Sequence, residues 1–338
     1  MSTITSHDFP TNLNQSPRPA TQPTNNPTTQ TTPNAAQRLR TTMAAVRLAF
    51  TWLGVRKTLA PEQRTTAARA FHADRELLSA SKLILDTKNP AYRAVAAVRS
   101  EASSYWRTVT LPFPEAGVRL LPQNSLGQFA STMGTCRERL QEAARELASQ
   151  YDTMKSEAQR RLGTLFNQAD YPTTLDGLFD MEWSVVPIEP PQYLVALNPE
   201  VFQQEQARVR ERFESAVELA EQGFATELQR LTAHLAERPT GLHDGQPKVF
   251  RDSAVENLRE FFERFRRLNI RSSPDLDALV EQAQQTITGV EPQTLRDSNR
   301  LRQMVARDFE QIQASVGEML VDRPRRNILR RGNVGGAV

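Results

Sequence analysis

Four histidines and one cysteine are the side chains with which this chain could bind a transition metal or attack a substrate. The densest grouping is His72 with Asp74 and Glu76. On a helix, His72 and Glu76 would stand four apart on one face, a spacing that metal ligands use. No second histidine or cysteine lies nearby, and Arg75 would oppose a cation, so a solvated helix start is expected there. His7 sits in a polar N-terminal stretch. His234 and His243 are nine apart, which is no metal spacing. A nucleophilic cysteine needs a lowered pKa and a base, whereas Cys136 falls between Met133 and Leu140 on an apolar helical stripe and is expected as a packed thiol. Asp275 and Asp277 follow Ser273-Pro274 in a helix's first turn, where the helix dipole favours carboxylates without catalysis. Neither a Gly-x-x-x-x-Gly-Lys-Ser/Thr loop nor a Gly-x-Gly-x-x-Gly turn occurs, so any nucleotide chemistry is expected in a partner. No catalytic residue, metal site or cofactor is assigned.

Arginine offers a different chemistry, the binding of anions. RPRRNILRR (323–331) places Arg323, Arg325, Arg326, Arg330 and Arg331 close together. Guanidinium groups fit phosphates and stack on bases, which makes nucleic acid one candidate partner for this tail. Ile328 and Leu329 would instead suit a short motif that docks on a protein. FERFRRLNIR (262–271) carries Arg264, Arg266, Arg267 and Arg271 between aromatics. With Phe261, Phe262 and Phe265 turned to a core, these arginines are expected on a solvated face.

The whole chain bounds these options. Its 338 residues carry 42 basic and 39 acidic side chains, a net charge of only +3. No strong overall field favours nucleic acid or a membrane. Five arginines against Asp322 put +4 in the last stretch, leaving the remainder near −1. A single cysteine excludes a disulfide framework and fits a reducing compartment. No run of about 20 apolar residues suggests a membrane span, no basic segment leads into an apolar core as in a secretory signal, and a cytoplasmic location is expected.

The elements that would carry these residues are legible in part. Residues 1–35, almost all Thr, Pro, Asn, Gln and Ser, have too little apolar surface to offset ordering and are expected to be disordered, as are 322–338. Asn89-Pro90, Asn198-Pro199 and Ser273-Pro274 predict capped helix starts, and Pro61 and Pro292 predict two more. From Leu126 through Phe129, Met133, Cys136, Leu140, Ala143, Leu147, Tyr151, Met154, Ala158 and Leu162 to Leu165, apolar residues recur in steps of three and four. This predicts a helix of about 40 residues, roughly 60 Å long, begun by a capping box of Ser125 and Gln128. A second long helix is predicted from Pro199 to about Glu237, with Val209, Phe213, Ala216, Ala220, Phe224 and Leu228 on its stripe. Their matched lengths predict an antiparallel hairpin resembling a coiled coil. Three segments read as strands. AAVRLAFTWLG (44–54) alternates, with Val46, Leu48, Phe50 and Trp52 on one face. GVRLLP (117–122) and MEWSVVPIEP (181–190) end in prolines, as strand ends and sheet edges do. A small antiparallel sheet at the root of the hairpin follows. The stretch from about residue 248 to 320 predicts three helices, with Leu258, Phe261, Phe262, Phe265 and Leu268 as a core face.

HADRELLSASKLILD (72–86), YWRTVTLPFPEAGVRLLP (105–122) and KVFRDSAVENLREFFERFRRLNI (248–270) resemble an uncharacterised domain-of-unknown-function family of phages, integrative elements and some bacterial chromosomes. The resemblance covers most of 44–320 and neither tail. Genes of that family often lie near MoxR-type AAA ATPases and von Willebrand A proteins. It implies a role beside such an ATPase, as adaptor or structural component, and it carries no catalytic residue across.

The sequence therefore predicts a mainly α protein with a small antiparallel sheet, an α+β fold. Its expected regions are a tail (1–35), a strand-helix-helix-strand region (36–122), a long hairpin with a strand insertion near 181–190 (123–240), a C-terminal helical bundle (248–321) and an Arg-rich tail (322–338). The function expected first is a non-enzymatic interaction or scaffold protein, with nucleic-acid binding through the tail as the alternative.

Overall fold

Alternation in one strand organises the molecule. The computed structural model describes residues 33–236, 252–290 and 292–321. A capping box of Asn34 and Gln37 starts α1 (Ala35–Thr42), which leads into β1 (Met43–Trp52). Then follow β2 (Arg56–Thr58), α2 (Pro61–Ala70), β3 (Ser81–Leu83), α3 (Pro90–Val109), β4 (Leu111–Pro112), β5 (Val118–Pro122), α4 (Leu126–Ser149) and α5 (Tyr151–Leu162). The chain continues through β6 (Phe179–Val185), α6 (Tyr193–Leu197), α7 (Pro199–Ala236), α8 (Asp252–Leu268), α9 (Pro274–Ile287), α10 (Pro292–Asp297) and α11 (Asn299–Val321). The protein is mainly helical with a small antiparallel sheet, an α+β fold.

The main sheet has the order β4-β5-β1-β6, and a separate two-stranded ribbon joins β2 to β3. All pairings in the main sheet are antiparallel, with Met43 opposite Pro122 and Trp52 opposite Phe179. The predicted strands at 44–54, 117–122 and 181–190 thus pair, with β1 as the strand that joins the other two. The strip after Trp106 adds β4, which folds back on β5 through Gly117, held at φ 76°, a backbone conformation that glycine adopts without strain.

Because side chains of a strand alternate between faces, the sheet separates two cores. Ala45, Leu111, Val118 and Leu120 join a core built from α1 and α7 to α11. Val46, Leu48, Leu121, Phe179 and Met181 join another, built from α3, α4 and α5. Phe50, Trp52 and Trp183 flank the latter, where Trp183 meets Phe129 edge to face.

This arrangement corrects the expected hairpin. α4 packs on α3 and β6, whereas α7 packs on α11, α1 and α8. An amphipathic stripe fixes what a helix buries but not against what, and here strand side chains and a neighbouring helix satisfy each stripe separately. The first long helix is also broken. At Gln150 (φ −97°, ψ −2°) the chain makes a turn, its amide donating to the Leu147 carbonyl at 3.2 Å, which separates α4 from α5. Its predicted capping box is not formed either: the Ser125 side chain makes no cap hydrogen bond, and a 3-10 turn (Gln123–Ser125) precedes the helix.

The proline-marked starts behave as predicted. Asn89 accepts from the Ala91 and Tyr92 amides, Asn198 from Val201 and Ser273 from Leu276, while α2 and α10 begin at Pro61 and Pro292. Leu258, Phe261, Phe262, Phe265 and Leu268 are all buried, as expected of a core face. Ion pairs bind elements distant in sequence. Glu115 receives Arg47 at 2.7 Å and Arg212 at 3.4 Å, and Arg40 grips Glu189 with two nitrogens at 2.6 and 2.5 Å.

Candidate functional site: an arginine-lined cleft

The residues singled out for metal or nucleophilic chemistry do not converge. His72 lies in an exposed turn after α2 at φ 52°, so it shares no helix face with Glu76, while Asp74 accepts the Glu76 amide. Among the described residues no group of three metal-ligating side chains forms. Cys136 is buried, and that burial pushes its thiol pKa up, away from the thiolate. Asp277 accepts from Asn269 at 2.7 Å in the first turn of α9. His7, His243 and the side chain of His234 lie outside the described residues, as do Arg323, Arg325, Arg326, Arg330 and Arg331.

What does converge is arginine. The end of α3, the β4–β5 turn-back, the middle of α7 and the end of α8 enclose a cleft of about 590 Å3. One arginine enters from each element: Arg107 from α3, Arg119 from β5, Arg230 from α7 and Arg264 from α8. Among the described residues Glu227 is the single acidic side chain that lines it.

Arg119 is the best held of the four. Its Nε donates to Thr110 Oγ1 at 2.7 Å and its Nη2 to the Thr110 carbonyl at 2.9 Å. The Thr110 hydroxyl donates in turn to the Trp106 carbonyl at 2.5 Å. These acceptors belong to the C-terminal end of α3, where the helix dipole attracts a cation. The guanidinium also lies 5.7 Å from the Trp106 ring centre, within cation–π range. Yet the site is electrostatically uncomfortable. Burial, then the neighbouring charges of Arg107 and Arg264, lower the Arg119 pKa to about 10. Arg119 stays charged at neutral pH, with no carboxylate partner among the described residues.

Arg264 is balanced differently. It pairs with Glu227 across α7 and α8 and rests against the Phe224 and Phe261 rings, each centre 5.8 Å away. Arg107 and Arg230 are exposed, and no ion pair to either is found among the described residues. With Glu227 spent on Arg264, three positive charges line the cleft without an ion-pair partner among the described residues. Its walls are otherwise apolar, from Leu111, Pro112, Leu219, Phe224 and Leu268. On the α7 side, Gly223 leaves the floor open: a methyl group there would meet nothing within 4 Å.

Compared with family models, curated proteins and solved structures, the chain matches none. The resemblance drawn above therefore rests on its three stretches alone.

Of the predicted surface arginines, Arg266 does stand exposed beside Glu263, and Arg267 reaches the Thr108 carbonyl at 3.4 Å. Arg264 departs from that expectation by turning into the cleft. Arg107, Arg119 and Arg230 were not singled out from sequence. They come from three separate segments, and each alone reads as an ordinary surface charge.

Proposed function

We propose that this chain is a non-enzymatic interaction protein whose working site is the arginine-lined cleft, where it takes up an anionic group presented by its partner. The observation that carries the proposal is Arg119: a half-buried guanidinium, fixed by Thr110 and crowded by two like charges, with no carboxylate partner among the described residues. Partial burial of a cation without a counter-charge carries a desolvation cost, and an incoming anion offsets that cost. The resemblance adds a candidate for the partner, a MoxR-type ATPase or a von Willebrand A protein. Nucleic acid is the alternative, through Arg323, Arg325, Arg326, Arg330 and Arg331.

The test is affinity capture from the native extract, with wild type beside Arg107→Glu/Arg230→Glu. Both side chains are exposed, so reversing them spares the core. Nuclease-resistant partners kept by wild type and lost by the reversed cleft support the proposal. Identical capture by both proteins refutes the cleft as the working site, and no capture at all refutes the interaction reading. Binding that is salt-sensitive and lost on deletion of 322–338 would shift the assignment to nucleic acid.

A further inference from the structure

We infer that the anion this cleft selects is a phosphoryl group, carried on a compact apolar body. The inference rests on the proposal that the cleft binds an anion and names the chemistry of that anion.

Direction is the first argument. Arg107, Arg119, Arg230 and Arg264 reach the cleft from four different elements, so donors surround the space instead of lying in one plane. A carboxylate offers two oxygens in a single plane, best met by one guanidinium fork. A phosphoryl group offers three oxygens splayed around phosphorus, and so can engage several guanidiniums at once.

Charge is the second. Three arginines lack a counter-charge in the described residues, because Glu227 is committed to Arg264. A monocarboxylate would leave most of that charge in place. A phosphomonoester carries about −1.5 to −2 at neutral pH and a diphosphate carries more. Either compensates the cleft far better.

Space is the third. About 590 Å3 is the volume of a small-ligand site and much more than a bare phosphate ion fills. The remainder is lined by Leu111, Pro112, Leu219 and Phe224 over the open floor at Gly223, which suits an apolar body of modest size.

The experiment is calorimetric titration of the full chain with inorganic pyrophosphate, inorganic phosphate and citrate, at constant ionic strength. Citrate supplies comparable charge on carboxylates alone. Pyrophosphate binding at least tenfold tighter than citrate supports the inference. Citrate binding equally well overturns it while leaving an anion cleft intact, and binding of none of the three overturns both. Two variants locate the site. Arg119→Lys keeps the charge but loses the planar guanidinium and its two hydrogen bonds to Thr110, and is expected to weaken pyrophosphate at least tenfold. Gly223→Leu keeps every arginine and fills the floor where the apolar body would lie, so it is expected to weaken phenyl phosphate, titrated in the same way, at least tenfold while sparing pyrophosphate. Phenyl phosphate affinity unchanged in Gly223→Leu would place the ligand outside the cleft and overturn the assignment even where Arg119→Lys fails to fold.

Discussion

Replacing Gly223 by alanine should make the protein more stable. A glycine inside a helix costs about 1 kcal/mol relative to alanine, chiefly through the backbone entropy lost on folding. That gain is realised only if the new methyl meets no obstacle, and at Gly223 nothing lies within 4 Å of it. Gly134, in the middle of α4 on the other side of the sheet, has the same free surroundings and serves as the control. Both substitutions should therefore stabilise by about 1 kcal/mol, which for a chain of this size raises Tm by about 2 °C. Thermal melts and urea titrations followed by circular dichroism at 222 nm would measure it. The informative result is the difference between the two sites. If Gly134→Ala stabilises and Gly223→Ala destabilises, the floor of the cleft is occupied by the chain itself in solution, and the argument that the cleft stands open to a ligand fails. If both stabilise, Gly223 is kept at a cost to stability that local packing does not explain.

The remaining predictions concern the frame around the cleft. Lys82 is buried, donates to the Leu165 carbonyl at 2.5 Å and stands 2.7 Å from Asp170, so Lys82→Met should cost about 3–5 kcal/mol in urea denaturation. Lys82→Met/Asp170→Leu should recover most of that loss, and a single-variant cost under about 1 kcal/mol would refute the buried-pair account. Arg137 holds Asp180 with two nitrogens, at 3.2 and 3.0 Å, and this hydrogen bonding lowers the carboxyl's pKa. A lowered acid stabilises above its unfolded pKa of about 3.9 and loses that contribution as pH falls through the folded value. Arg137→Gln should accordingly match wild type in strong acid and fall below it above about pH 4, whereas curves that stay parallel would exclude the linkage. Cys136, buried and with its thiol pKa raised, should react with Ellman's reagent only as fast as the protein unfolds; a fast reaction in native buffer would contradict its place in the core.

Local devices were the legible part of this fold. Asn89, Asn198 and Ser273 act where a polar side chain meets a proline, a signal contained in two residues. The alternation of Val46, Leu48, Phe50 and Trp52 likewise fixes a strand with one buried face. What the stripes of α4 and α7 left open was the choice of partner, since α3, β6 and α11 satisfy them as well as each other would. The break at Gln150 was hidden because apolar spacing continues across it through Leu147, Tyr151 and Met154. The ribbon of β2 and β3 was missed because its short strands, Arg56–Thr58 and Ser81–Leu83, are too polar to show alternation. The cleft brings residues 107–119 against residues 219–230 and 264–268, at least 100 residues further along the chain, and only the tertiary fold places Arg119 beside Arg264.

The central position of β1 has a cost during synthesis. Its neighbours in the sheet are β5 and β6, both made much later. From Trp52 to Val185 the ribosome adds roughly 130 residues, which at about 5–20 residues per second takes on the order of 10 s. Until β5 emerges, Val46, Leu48, Phe50 and Trp52 form an apolar ribbon with both edges unpaired, and the edge that β6 will cover stays open for the rest of the interval, the kind of surface on which nascent chains aggregate. A holding chaperone that covers residues 43–52 until β6 emerges would determine the yield of folded protein, and pauses in translation between the two strands would lower it.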